Sequence, residues 1–205
     1  YMRNLAQVFR HNMADYAHLI TEEMGKLLKE AKAEIEKCAL GCEYYAEHAQ
    51  SFLADEMVTS DANRSFVTYQ PLGTLLCIMP WNFPFWQAFR FAAPGLMAGN
   101  CGILKHAPNV PQCALAIEEV FTQAGVPRGV FRSLFIDTDQ AARVIDDPRV
   151  QAVTLTGSEL AGRAWEAFHQ QCAVWCVHLR TQHQPAFTRC VQKALQGGTG
   201  VEALH

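Results

Sequence analysis

The chain has 205 residues, half of them apolar and 18% charged, with a formal net charge of −3. That length suits one sizeable α/β domain, and the charge gives no electrostatic reason to expect nucleic acid or an anionic membrane as a partner. No apolar run approaches the ~20 residues that cross a bilayer, and no basic stretch followed by an apolar one marks a signal peptide. Tyr1 opens directly into a helical pattern, so the true N-terminus is expected upstream. Among the eight cysteines, Cys38, Cys42, Cys77, Cys101 and Cys113 lie in amphipathic or apolar segments, where a free thiol acts as a small hydrophobe. Reduced thiols without a secretory signal point to the cytoplasm.

Residues 5–52 read as helices. Leu5, Val8 and Phe9 begin a stripe that Tyr16, Leu19, Ile20 and Met24 continue at three- and four-residue steps, and Gly25 is placed to close it. A second stripe runs Leu28, Ala31, Ile35, Cys38, Cys42, Tyr45, Ala49 and Phe52. Lys29, Glu30, Lys32, Glu34, Glu36 and Lys37 lie between as a solvated face, and these helices are read as scaffold. Over 57–70 the period changes to strand alternation, Phe66, Thr68 and Gln70 against Val67 and Tyr69, before a turn at Pro71 and Gly73.

From 74 to 162 strand and helix alternate. Strands are expected at 74–79, 102–105, 130–136 and 150–155, and helices at 85–98 and 112–124, closed by Gly99 and Gly125. Asp137 or Thr138 caps the next helix, and Gly157 with Ser158 opens another. Four strands joined in this way imply right-handed crossovers and a parallel, Rossmann-like, doubly wound α/β sheet. No internal repeat is visible.

Ligands of such sheets bind beyond the carboxyl ends of the strands, where three loops fall: 80–84, 106–111 and 156–162. In the third, Gly157 allows backbone to approach a phosphate, and Ser158 and the following amides can donate to it; a plain helix cap by Ser158 is the alternative. Lys105, at a strand end, suits a ribose hydroxyl or phosphate, or is merely solvated. Asn82 sits in Pro80-Trp81-Asn82-Phe83-Pro84, a loop stiffened by two prolines. Its amide can donate to a developing oxyanion, or the residue simply turns the chain by bonding its own backbone.

Together these loops resemble the aldehyde dehydrogenase superfamily: P-W-N-F-P at 80–84, L-K at 104–105 and T-G-S-x-x-x-G at 156–162 stand in the family's order and spacing. Glu23-Met24-Gly25-Lys26 and Tyr44-Tyr45-Ala46-Glu47 fit the helices that precede P-W-N-F-P, so the likeness runs from about residue 3 to 162. The stretch Pro71–Pro84 followed by Leu104-Lys105-His106-Ala107-Pro108-Asn109 most resembles bacterial NAD(P)-dependent succinate-semialdehyde dehydrogenases. The resemblance implies NAD or NADP as cofactor and a small aldehyde as substrate. It makes Asn82 the oxyanion donor and lays the main chain of Pro80 and Trp81 along the nicotinamide. Lys105 would hold the adenosine ribose, and Gly157 and Ser158 the pyrophosphate. Arg90 would bind the substrate's distal carboxylate, its alternative being a surface charge; Trp86 would wall the substrate tunnel or pack in the core. NAD-preferring relatives carry a Glu three residues after this lysine; the position here is Pro108, which implies that NADP is accepted. Residues 57–70 match strands of a bridging element used in homo-oligomers. Their partner strand comes from the family's C-terminal end, so an unpaired, association-prone edge is expected.

The departures are equally definite. Neither the family's E-L-G-G, which carries its general-base Glu, nor its G-Q-x-C, which carries its nucleophilic Cys, occurs in the chain. About fifty residues of the family's N-terminus are also unmatched. Residues 163–205 hold four of the eight His and three of the eight Cys. They read as an unmatched tail, frameshifted, fused or disordered, after a partial NAD(P)-binding domain at 1–162. A metal site from Cys172, Cys176, His178, His183 and Cys190 lacks a familiar zinc spacing. The expected function is that of an aldehyde dehydrogenase fragment without turnover of its own. The alternatives are a nucleotide-binding or regulatory remnant paired with a full-length relative, and a remnant that does not fold.

Overall fold

The computed structural model describes residues 1–157 and, as backbone, 174–179 and 187–192. Three helices come first: α1 (Met2–His11), α2 (Met13–Met24) and α3 (Leu28–Phe52). Each buries positions three and four residues apart: Leu5 and Phe9 on α1, Tyr16 and Ile20 on α2, and Ala31, Ile35, Cys38 and Cys42 on α3. The stripe from Leu5 to Met24 is not one helix. It breaks at Asn12, whose side chain bonds Tyr16 Oη at 3.3 Å and Gln123 at 3.0 Å. Gly25 closes α2 as expected, with φ of 74° and its N–H on Thr21 O. Phe52, expected in the buried stripe, is 52% exposed. It lies in an outward column with His48 and Tyr44, whose rings stack at 4.4 Å.

β1 (Glu56–Met57) and β2 (Phe66–Val67) form a short antiparallel pair with Met57 opposite Phe66, both strands exposed. Of the alternation expected to run on to Gln70, only these two positions pair.

The main sheet combines β3 (Thr74–Ile78), β4 (Cys101–Lys105), β5 (Phe131–Ser133), β6 (Val150–Gly157), β7 (Val174–Leu179) and β8 (Phe187–Gln192) in the order β5-β4-β3-β6-β7-β8. The first five are parallel and β8 runs antiparallel to β7. The four strands anticipated between 74 and 155 are all present, and β7 and β8 extend the sheet within the segment read as a tail. α4 (Pro84–Met97), α5 (Pro111–Gln123) and α6 (Thr138–Ile145) supply the crossovers. Asp137 caps α6 with a full capping box, its carboxylate on Gln140 N and the Gln140 side chain on its own N–H.

The sheet carries an apolar layer on each face. On one side Cys77, Met79 and Leu104 meet α4, α5 and the N-terminal helices. Aromatic rings thread this layer: Phe9 edge-on to Phe89 at 4.5 Å, Phe89 stacked on Phe121 at 5.2 Å, and Phe121 on Phe131 at 4.3 Å. On the other side Leu76, Ile78, Val153 and Leu155 are covered by Ala141 and Ile145 of α6. Among the described residues no helix is long and apolar enough to cross a membrane.

Candidate cofactor and substrate site

The strand order reverses at β3 and β6: β4 and β5 follow on one side of β3, and β6 returns to the other. Open parallel sheets bind ligands beyond the carboxyl ends of the strands at such a reversal. The register sets Ile78 beside both Lys105 and Leu155. The chain after β3, the chain after β4 and Gly157 therefore leave the sheet at one edge; the first two are loops singled out from the sequence, and Gly157 stands at the start of the third.

In the first loop Pro80 and Asn82 are half-buried and Trp81 is exposed. Asn82 Oδ1 is buried without a hydrogen-bond partner among the described residues. A turn-forming Asn would spend that oxygen on its own backbone; Asn82 does not.

The loop is gripped from behind. Phe83 is the N-cap of α4 and Pro84 its first residue, and no local side chain caps the helix. The amides of Phe85 and Trp86 donate instead to Glu34 Oε1 on α3, each at 3.0 Å. Glu34 Oε2 pairs with the ammonium of Lys26, which lies 3.6 Å from the centre of the Phe83 ring. Lys26 and Glu34 are both buried. Glu34 therefore does not belong to the solvated face read from the sequence, because a pair of helix amides and a cation repay its burial.

α5 repeats the device. Val110 and Pro111 open it without a local cap, and the amides of Gln112 and Cys113 donate to Glu23, both at 2.8 Å. His106 joins the two loops. Its Nδ1 accepts from Ala107 N at 2.8 Å, which fixes the tautomer, and Nε2–H donates to Pro84 O at 3.0 Å. Burial holds its pKa below the usual histidine range. With protein carboxylates on the amides of α4 and α5, no phosphate can use those helix starts.

Lys105 ends β4, half-buried. Desolvation lowers its pKa, and the Asp137 carboxylate partly offsets this. Arg90 Nη2 donates to Thr156 Oγ1 at 3.3 Å, over the end of β6. Arg90 also lines a 460 Å³ cleft with Leu75, Met79, Phe91 and Val153. Trp86 is half-buried against α3: Lys37 Nζ lies 4.2 Å from the ring centre, and a Cβ on Gly41 would stand 3.4 Å from the indole. Gly157 is the last residue of β6. Ser158, the rest of its motif, and the side chains of Cys172, Cys176, His178, His183 and Cys190 lie outside the described residues. Among the described residues no cluster of His, Cys, Asp and Glu could hold a metal.

The fold is a doubly wound α/β domain with candidate ligand loops at its strand-order reversal. The model of the aldehyde dehydrogenase family matches residues 1–173, and the chain belongs to that family. It is 56% identical over 165 residues to a probable succinate-semialdehyde dehydrogenase (NADP(+)) of Synechocystis sp., a match covering 80% of this chain and 36% of that one. With the succinate-semialdehyde dehydrogenase (NADP(+)) of Mycobacterium avium the identity is 55% over 153 residues, 73% of this chain and 32% of the other. The crystal structure of succinic semialdehyde dehydrogenase from Streptococcus pyogenes in complex with NADP+ superimposes with a TM-score of 0.83 at 35% identity, covering 87% of this chain and 39% of that one. The chain thus spans about a third of the length of the curated relatives it matches.

Proposed function

We propose that this chain is the NADP-binding portion of an aldehyde dehydrogenase acting on a short aldehyde that bears a carboxylate, with succinate semialdehyde as the best match. One observation carries the reading: the chain after β3, the chain after β4 and Gly157 at the end of β6 lie at one edge of the sheet at the strand-order reversal, and the helices after the first two already have their first amides on Glu34 and Glu23. The pyrophosphate is left the loop of Gly157 and Ser158, where backbone can approach closely. Lys105 faces the adenosine ribose. Exposed Pro108 stands where a carboxylate would repel a 2′-phosphate, in keeping with relatives named for NADP.

Pro80, Trp81, Lys105, Gly157 and Ser158 would hold the cofactor, which would supply a hydride acceptor for oxidation of the aldehyde to a carboxylate in the intact enzyme. Pro80 and Trp81 line the nicotinamide with main chain. Asn82 offers its amide hydrogens to the carbonyl oxygen as that oxygen gains charge, and its position in a stiff loop makes the donor preorganised. Arg90 presents a planar guanidinium to the substrate's far carboxylate, and Trp86 forms part of the wall. The family's cysteine nucleophile and glutamate base are carried by motifs absent from these 205 residues. The chain alone is therefore assigned cofactor binding without turnover. Five described cysteines without disulfides suit the cytoplasm, and the exposed β1–β2 pair suits a homo-oligomer.

Calorimetry with NADP+ tests the binding, and Lys105→Ala should weaken it about tenfold or more. Succinate semialdehyde with NADP+ should give no sustained rise in reduced-nicotinamide absorbance. Steady turnover abolished by Asn82→Ala would refute the non-catalytic assignment, because it requires a nucleophile within this chain.

A further inference from the structure

Two glutamates of the α2–α3 hairpin reach across the molecule to the starts of the two helices that follow the site loops. Glu34 takes the amides of Phe85 and Trp86 on α4, and Glu23 those of Gln112 and Cys113 on α5. Both helices begin with Pro at their first turn, which removes one unsatisfied amide, and neither has a capping side chain of its own. The start of each helix is thus set by a residue 51 and 89 positions away along the chain, respectively.

From these contacts we infer that Glu34, paired with Lys26, is a positioning residue for Asn82. This rests on the proposed reading of Asn82 as the oxyanion donor. Glu34 touches no ligand. It fixes the two amides immediately after Pro84, while the ammonium it pairs with sits on the Phe83 ring. The grip therefore closes on Phe83, Phe85 and Trp86, and Asn82 is the adjoining residue. Lys26 and Glu34 act as a unit, since either charge buried without the other would be expelled or neutralised. Glu23 performs the corresponding service for the start of α5, close to the loop after Lys105. The sequence run Glu23-Met24-Gly25-Lys26 therefore supplies an acceptor for one helix and the counter-ion for the other helix's acceptor, across a left-handed Gly25.

The test compares matched variants of the full chain by residue-resolved hydrogen exchange, together with the side-chain amide resonance of Asn82. Glu34→Ala is expected to speed exchange at Phe85 and Trp86 about tenfold or more and to shift the Asn82 resonance, with Gln112 and Cys113 unchanged within about twofold. Glu23→Ala should give the reverse pattern and leave the Asn82 resonance in place. Glu34→Gln keeps an oxygen acceptor but strands the Lys26 charge, and should recover the protection at Phe85 and Trp86 only in part. If Glu34→Ala does not fold, Lys26→Met carries the test through the Asn82 resonance and the unchanged α5 amides. An equal rise at both helices, or an Asn82 resonance that Glu34→Ala and Lys26→Met leave unmoved, overturns the inference and reduces the pair to general stability. Titration of the wild-type chain with NADP+ judges the functional reading separately: failure to bind defeats that reading, while exchange and resonance still decide the positioning.

Discussion

His106→Leu is the sharpest single perturbation of the loop framework. The imidazole is 7% exposed and uses both nitrogens, one accepting from Ala107 N and the other donating to Pro84 O. Leucine fills similar space, leaves the Ala107 amide unpaired and removes one of the donors to Pro84 O, the first carbonyl of α4. A buried polar group stranded in this way costs about 1–3 kcal/mol, so the substitution should destabilise the fold by about that much at pH 8. The pH dependence then identifies the mechanism. Burial is the largest influence on His106 and lowers its pKa; Lys105 pushes the same way, and Glu23 with the carbonyls of Pro84 and Met79 pushes back. The unfolded chain takes up a proton near pH 6.5, whereas the folded chain resists it, because a protonated Nδ1 cannot accept from Ala107. The wild-type contribution is therefore complete above about pH 6.5 and declines as pH falls toward the lowered folded value, by up to about 1.4 kcal/mol per pH unit. His106→Leu lacks this slope. Urea unfolding of both proteins at pH 8 and 5.5 should show the gap between them narrowing at the lower pH. Other titrating groups are common to both proteins and cancel. A gap that stays constant would refute the neutral, doubly bonded imidazole.

Three further outcomes follow from local geometry. Pro108→Glu returns a carboxylate to the ribose side of the site and should shift preference from NADP+ toward NAD+ by about tenfold or more, read by parallel titrations; an unchanged ratio would place the 2′-phosphate elsewhere. A Cβ at Gly102 would stand 2.7 Å from Cδ2 of Phe131, a ring fixed by its stack on Phe121, so Gly102→Ala should cost about 1–3 kcal/mol in urea unfolding. Met57, Val58, Phe66 and Val67 are all more than 40% exposed on and beside the β1–β2 pair. Charge at Val67, as Val67→Lys, should reduce concentration-dependent association in sedimentation; identical profiles would clear this hairpin of any part in it.

What the sequence could disclose was whatever depends on near neighbours. Short apolar runs bounded by Gly and Pro marked β3, β4 and β6, Asp137 or Thr138 marked the cap of α6, which is Asp137, and Gly25 marked the end of α2. Period failed where ends and partners decide. Asn12, at the break in the first stripe, bonds α5, and Phe52 continues the period of α3 beyond the core, exposed beside Tyr44 and His48. Val174–Leu179 joins the sheet by pairing with β6, a fact no window within 163–205 contains. Glu34 is the instructive failure. Flanked by Lys29, Glu30, Lys32, Glu36 and Lys37 it has the look of one more solvated charge, and a helical period has no way to separate it from them. The legible sign lay elsewhere and was negative. Phe83 and Val110 stand where Ser, Thr, Asp or Asn would cap a helix, each just before a proline. Amides at a buried helix start must find acceptors. Two such starts behind two ligand loops imply two acceptors from outside, and carboxylates suit the positive end of a helix. The need was written in 83–84 and 110–111; which glutamates met it depended on how α2 and α3 cross α4 and α5, and that only the folded chain records.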